Sequence, residues 1–319
     1  MATLDDVLRN MQDGAFAYSC AGTIVAMDKI ERAEVLTAIC LNRMERKYNK
    51  ISEIFERTNN DWEQTYYAML MRSMDIGKNR VGYEAIAEAL PYRIIRHEKN
   101  GSSPLVIEAL LLGTSGLLSR FEEHPYIAKL RNEYSYLAHK YDLSPIEYKI
   151  WDLKSYIPAS HPVIRLAQVA SILNKTEFIV SEFNRCTTVR DIENLFRVYV
   201  SEEWKEILRL DRYENRHTLA LHPDKAHLLG INLIAQLQAF YGHHIGDMDM
   251  SERAIQLLDA IPPENNVYTR RWSSCGLRAK SALESQAIIQ LSTIFCAYKN
   301  CAKCPVWRRV AEKIYLQSK

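Results

Sequence analysis

The densest chemistry-bearing stretch of the chain is FCAYKNCAKCPVWRR, Phe295 to Arg309, where Cys296, Cys301 and Cys304 fall at a C-x4-C-x2-C spacing. Two thiolates three residues apart can chelate one ion from a tight turn, and Cys296 is close enough to join them. Zinc takes four nitrogen or sulfur ligands in a tetrahedron. The fourth must come through the fold, from Cys20, a histidine or Cys275, and Cys275 completes the candidate set. Lys299, Lys303, Arg308 and Arg309 surround the turn and would favour thiolates. The competing reading is that Cys296 ends an apolar helix and packs as a small hydrophobe, the other two thiols holding no metal. An iron–sulfur cluster fits less well, because clusters usually need four cysteines and none follows Cys304. No cofactor is required by the spacing; zinc is the candidate if a metal is bound.

The same end of the chain is basic. From Val267 to Lys319 there are ten Lys or Arg and two acids, a surplus of eight in a chain whose net charge is +2. The rest of the chain is therefore acidic by six. Arg270, Arg271, Arg278, Lys299, Lys303, Arg308 and Arg309 alternate with Tyr268, Trp272, Tyr298 and Trp307. Arginines contact phosphates and aromatic rings stack on unpaired bases, so the pattern points to nucleic acid or an acidic protein partner. If the charges are instead spread around a solvated surface and the tryptophans sit in the core, the pattern carries no partner.

Other clusters say less. His243 and His244 are adjacent and so point in different directions on a helix, and HExxH is absent. Neither GxGxxG nor GxxxxGKS occurs. GTSG, Gly113 to Gly116, follows an apolar helix and not a strand, which argues against a nucleophile elbow. Two glycines three apart there predict a helix end and the close approach of a neighbour.

The elements that must position these groups read as helices throughout. Asp28-Lys-Ile-Glu31 has capping-box spacing, and apolar residues recur from Val35 to Phe55, predicting a helix or two over 28–58. The Asn60-Asp-Trp-Glu63 capping box, Pro125, Pro162, Thr188 and the His222-Pro223 pair open further helices. The helix after Pro223 is expected to reach Tyr241, and Ser251 to cap the next. SALESQAIIQLSTIF, from Ser281, reads as a buried helix feeding the cysteines. YRIIRH and HTLAL are marginal strand candidates. The expected fold is all-α and multi-helical, somewhat elongated, either with a subdomain break at NGSSP (Asn100 to Pro104) separating residues 1–100 from 104–319 or as one continuous domain.

Composition narrows the class. Hydrophobic residues are 47% and charged residues 25%, ordinary for a soluble globular protein. No run approaches the ~18 apolar residues of a membrane span. The start carries Asp5 and Asp6 and lacks a secretory pattern, and seven unevenly spread cysteines suit a reducing compartment. The expectation is a cytoplasmic protein with no membrane partner.

Several phrases together resemble a bacterial family, domain of unknown function 2851. They are SCAGTI (19–24), IEALLLGTSGLL (107–118), the Pro-x-Ile-Arg-Leu-Ala-Gln run (162–168), GINLIAQLQAFYG (230–242) and ESQAIIQLSTIFCAYKNCAKC (284–304). The resemblance implies the helical C-terminal half of that family, with a β-rich, nuclease-like half absent. It also implies that Arg165, Gln168, Asn232 and Gln286 are shared polar positions, whereas Ile157-Pro158, Ser160, Thr114 and Gln236 depart from the family's pattern. The expected function is a non-catalytic helical module that binds nucleic acid or an acidic partner through its basic end, beside a separate nuclease-like chain. A scaffold for protein partners is one alternative. An enzyme whose site gathers Arg165, Gln168, Asn232 and Gln286 is another.

Overall fold

A computed structural model of the chain describes residues 20–99, 103–153, 160–208 and 219–317. Asn100 to Ser102 of the expected linker, Ile157-Pro158 and the polar stretch before Leu219 lie outside the described residues. The described residues contain helices and turns and no strand, so the fold is all-α. No described helix is long and apolar enough to cross a membrane.

Packing divides the chain into two units, residues 1–50 with 239–319, and residues 51–238. The division does not run through 100–104: Ser103 and Pro104 belong to the second unit.

The first unit contains α1 (Ala21–Ala26), most of α2 (Lys29–Arg57) and four later helices. Asp28 opens α2 by accepting the backbone N–H groups of Ile30 and Glu31, each at 2.9 Å, and the helix runs unbroken as the 28–58 periodicity predicts.

The second unit is built around α6. In chain order its helices are α3 (Trp62–Ser73), α4 (Arg80–Ala89), α5 (Tyr92–Glu98), α6 (Leu105–Thr114), α7 (Pro125–Tyr141), α8 (Pro162–Lys175), α9 (Ile179–Asn184), α10 (Val189–Leu195), α11 (Glu203–Ile207) and α12 (Pro223–Leu229). Every residue of α6 from Ile107 to Thr114 is buried, and the helix packs on both α7 and α8. Leu110, Leu111 and Leu112 are each fully removed from solvent, worth ~2 kcal/mol apiece. Gly113 lets Tyr134 of α7 lie against the helix: a Cβ there would sit 2.1 Å from the ring. Gly116 takes φ +74° just after the helix, as the glycine pair predicts.

Three His-Pro pairs open helices in this unit. In each, His Nδ1 accepts the N–H two residues on: His124 from Tyr126 at 3.1 Å, His161 from Val163 at 3.3 Å and His222 from Asp224 at 3.2 Å. YRIIRH is helix α5, not a strand, because Pro91 sets its first turn and Ile94 and Ile95 are buried on one side.

From α12 the helix passes through a π-helical turn (Gly230–Ile234) into α13 (Ala235–Ile245), four residues beyond the expected Tyr241. In the first unit follow α14 (Met248–Ala260), α15 (Val267–Ser274), α16 (Ala282–Gln290) and, after a second π-helical stretch (Leu291–Cys296), α17 (Pro305–Gln317). Asp247, not Ser251, caps α14, accepting Met250 N–H at 3.0 Å. Ser251 lies inside the helix.

Candidate functional site

Within the first unit, α2 and α16 meet through polar side chains. Arg43, Arg46 and Lys47 stand at i, i+3 and i+4 on α2 and so share a face. Gln286 and Gln290 stand four apart on α16, with relative exposures of 1% and 0%. Gln286 Oε1 accepts from Arg43 Nε at 2.8 Å and from Lys47 Nζ at 3.0 Å. Its Nε2 donates to Glu264 Oε1 at 2.5 Å. One turn on, Gln290 Oε1 accepts from Arg46 at 3.0 Å, and its Nε2 donates to Asn42 Oδ1 at 2.6 Å. Each buried amide is thus satisfied at both ends, as burial requires.

The electrostatics of this group are unbalanced. Among the described residues the two carboxamides are neutral, and Glu264 is the carboxylate felt by both Arg43 and Lys47. Glu264 is itself held by Asn266 Nδ2 at 3.3 Å and by its own N–H bond to Ser285 Oγ at 3.2 Å. Burial pushes the Lys47 ammonium down to about 7, with the Arg43 charge adding to the effect and Glu264 and Cys40 opposing it. Burial likewise lowers Arg43, against the pull of Glu264. Among the described residues Arg43 spends only Nε on a partner, leaving its two terminal nitrogens as unfilled donors.

The basic end divides into two groups. Arg309 and Lys313 on α17 serve the fold. Arg309 Nε lies 3.1 Å and Lys313 Nζ 2.7 Å from the buried carboxylate of Glu31, and Arg309 also reaches Glu34 at 3.1 Å. Arg271, Arg278, Lys280, Lys303 and Arg308 are exposed, and none has a carboxylate within ion-pair reach among the described residues. Arg270 and Lys299 are also exposed, Arg270 holding Asn265 Oδ1 at 3.1 Å. Trp272, expected at a binding surface, is fully buried and donates from Nε1 to Ser292 Oγ at 2.7 Å. Trp272 thereby ties α15 to the π-helical stretch that follows α16, and its buried ring offers no face to a base. Tyr298 is 75% exposed, and Tyr268 and Trp307 are half-buried.

The thiol turn is ordered by a 3-10 turn at Cys301–Lys303, which ends with Cys304 N–H on Cys301 O at 2.9 Å. Cys304 is buried and its thiol is pushed up to about 11 by that burial, although the N–H groups of Trp307 and Val306 pull the other way. Cys20 and Cys301 are near enough to add to the upward push. Burial also raises Cys301. The basic neighbours therefore do not make thiolates here, because desolvation outweighs charges that point into solvent. Cys275 is exposed at the end of α15. Among the described residues no group of three or more His, Cys, Asp or Glu is placed to hold a metal ion.

In the second unit Arg165 donates to Gln168 at 2.8 Å, and Gln168 Nε2 donates to Leu219 O at 3.0 Å. Lys225, beside Arg165, donates to Ser73 O at 2.8 Å and is pushed down to about 7 by burial and by the Arg165 charge, against Asp75. Asn232 donates to Leu228 O of its own helix. Gln286 belongs to the first unit's group. A cleft of about 540 Å³ is lined by Asp61, Arg57, Arg72, Arg93, Glu84 and Glu88 among others. Arg72 pairs with Glu84 and Arg57 with Glu88, so its charges largely neutralise one another.

Sequence reasoning reached Gln286 through resemblance and missed Arg43, Arg46 and Lys47 of the long helix α2. The available signal was Gln286 and Gln290, two buried amides one turn apart on one helix.

No curated protein and no solved structure matches the chain. The model of the family described as "Protein of unknown function (DUF2851)" matches residues 3–267, most of the chain and not a C-terminal half of the family alone. The three clustered cysteines lie beyond the matched residues. By that match the chain belongs to the DUF2851 family.

Proposed function

We propose that this DUF2851 protein is a non-catalytic helical module that binds nucleic acid through the cationic C-terminal segment of its first unit. One observation carries the reading. The segment's positive charge is sorted: Arg309 and Lys313 neutralise Glu31, while Arg271, Arg278, Lys280, Lys303 and Arg308 stand in solvent with no carboxylate in ion-pair reach among the described residues. Exposed cations in this number cost little in water and gain by releasing counterions from a polyanion. With Trp272 in the core, recognition rests on phosphate contacts, and Tyr298 can stack on an unpaired base. Sequence discrimination is accordingly weak.

The test is fluorescence anisotropy of a labelled single-stranded oligonucleotide across a salt series. Five phosphate contacts give a slope of log K on log salt of about −3.5, hence roughly a hundredfold loss of affinity between 50 and 200 mM salt. Replacing Arg271, Arg278, Lys303 and Arg308 together by alanine flattens the slope by about 0.7 per lost contact. No retention of DNA or RNA at ~50 mM salt, where counterion release favours binding most, would overturn the reading.

A further inference from the structure

We propose that Arg43, Arg46 and Lys47 of α2, braced by Gln286 and Gln290 of α16, form a binding site for one phosphate-type oxyanion. The proposal rests on the nucleic-acid reading for the natural source of that anion, but not for the existence of the site.

Geometry argues for a ligand. A helix-to-helix seam that served packing alone would be made of apolar side chains or of cations matched by carboxylates. Here the braces are amides. Gln286 Oε1 takes Arg43 Nε and Lys47 Nζ, and Gln290 Oε1 takes Arg46. An amide oxygen fixes a cation's position without cancelling its charge. The arrangement aligns three positive groups over one turn of helix, and the neighbouring carboxylate of Glu264 has its two oxygens bonded to Gln286 and Asn266. Arg43 is half-buried, with its guanidinium anchored at Nε and its two terminal nitrogens unfilled among the described residues. An anchored guanidinium presenting two parallel N–H groups matches the paired oxygens of a phosphate or sulfate. Arg46 is exposed, so the group opens to solvent.

The cost of this arrangement without an anion is visible in Lys47. Arg43 on its own helix, Glu264 from the loop between α14 and α15, and Cys40 two turns back set its titration, and burial dominates them all. Lys47 loses its proton near pH 7 in the empty site. An oxyanion would hold the proton on, so affinity is highest below pH 7 and falls as pH rises through that value.

Equilibrium dialysis with radiolabelled sulfate, whose charge is constant over the range, tests this at pH 6 and pH 8.5. The expected result is one site per chain, with affinity about tenfold weaker at the higher pH as Lys47 deprotonates. Lys47→Met removes a buried cation, and Arg46→Ala changes an exposed one, so both are expected to fold. Each should weaken sulfate about tenfold, the loss of one charge-assisted contact, while Arg308→Ala leaves it unchanged. Sulfate binding equal in the parent, Lys47→Met and Arg46→Ala, or absent from the parent, overturns the site, even if DNA still binds with its steep salt dependence. Displacement of sulfate by single-stranded oligonucleotide assigns the site to a phosphodiester. Retention of sulfate under saturating oligonucleotide assigns it to a free oxyanion and leaves the nucleic-acid reading to stand on its own salt slope. If oligonucleotide fails to bind at all while sulfate binds as described, the site stands and the nucleic-acid reading falls.

Discussion

Glu108→Gln is expected to stabilise the fold above pH 7 by up to about 3 kcal/mol and to leave it nearly unchanged below about pH 4.5. Glu108 lies fully buried in α6. Its Oε1 accepts from Trp204 Nε1 at 2.5 Å and from the Tyr126 hydroxyl at 3.1 Å, while Oε2 has no partner among the described residues. Burial pushes this carboxyl up to about 7, and the two hydrogen bonds only partly restrain the rise. The folded chain therefore holds a proton that the unfolded chain releases near pH 4.5. Wherever the folded state binds more protons, stability falls as pH rises. The loss begins near pH 4.5 and is complete just above pH 7. Glutamine reproduces the shape of the neutral acid and carries no proton to lose. Urea unfolding at pH 4.5, 6 and 8 measures the difference between parent and variant. A variant that is less stable than the parent at pH 8 would show that Glu108 is ionised and usefully bonded in the fold.

His161 makes the same experiment more informative. It caps α8 through Nδ1, and burial lowers its pKa to about 4. A histidine that resists protonation in the fold contributes stability above about pH 6.5 that is lost as pH falls toward 4, again about 3 kcal/mol at full extent. In the parent the two groups oppose each other across the same interval: between pH 4.5 and 6.5 one gains what the other loses. With Glu108 silenced, the acid limb of the Glu108→Gln profile belongs largely to His161 and should steepen. Lys47 and Lys225, both pushed down to about 7, contribute stability that rises above pH 7 and do not intrude on this window.

How much of this was legible in the sequence depends on the range of the interaction. Pro125, Pro162, Pro223 and Thr188 each mark a helix start because the signal lies within four residues of its effect: a fixed φ, or a side chain accepting a nearby N–H. Gly113 and Gly116 were readable as a close approach and a helix end for the same reason. The anion group was not, because its hydrogen bonds join Arg43 to a residue 243 positions away. A row of cations on α2 looks the same in sequence whether it faces water or a buried amide. Trp272 failed for the converse reason. Its aromatic and basic neighbours fit a stacking surface, but an indole with a hydroxyl partner gains more by leaving water. The cysteine turn was legible as a turn. What its thiols do depends on burial, which neither spacing nor neighbouring charge expresses.

The second large effect is steric and lies in the packing of α6. Gly113→Ala should destabilise the second unit by about 2 kcal/mol, although alanine is the better helix former by about 1 kcal/mol. The new Cβ would stand 2.1 Å from the Tyr134 ring, and three ring atoms lie within 2.5 Å of it. A ring is rigid, so the clash is relieved only by moving α7 or by forcing Tyr134 off its rotamer. α6 is buried along its whole second half and packs on α7 and α8 together, so neither partner can shift alone. The cause can be isolated with a double-mutant cycle in urea. Tyr134→Ala should cost stability by itself through lost contacts. Adding Gly113→Ala to that background should then be neutral or favourable, by up to about 1 kcal/mol, because the obstacle is gone and only helix propensity remains. If the glycine substitution costs as much without the tyrosine as with it, the penalty comes from the backbone of α6, and the close approach of α7 is not what requires glycine at this position.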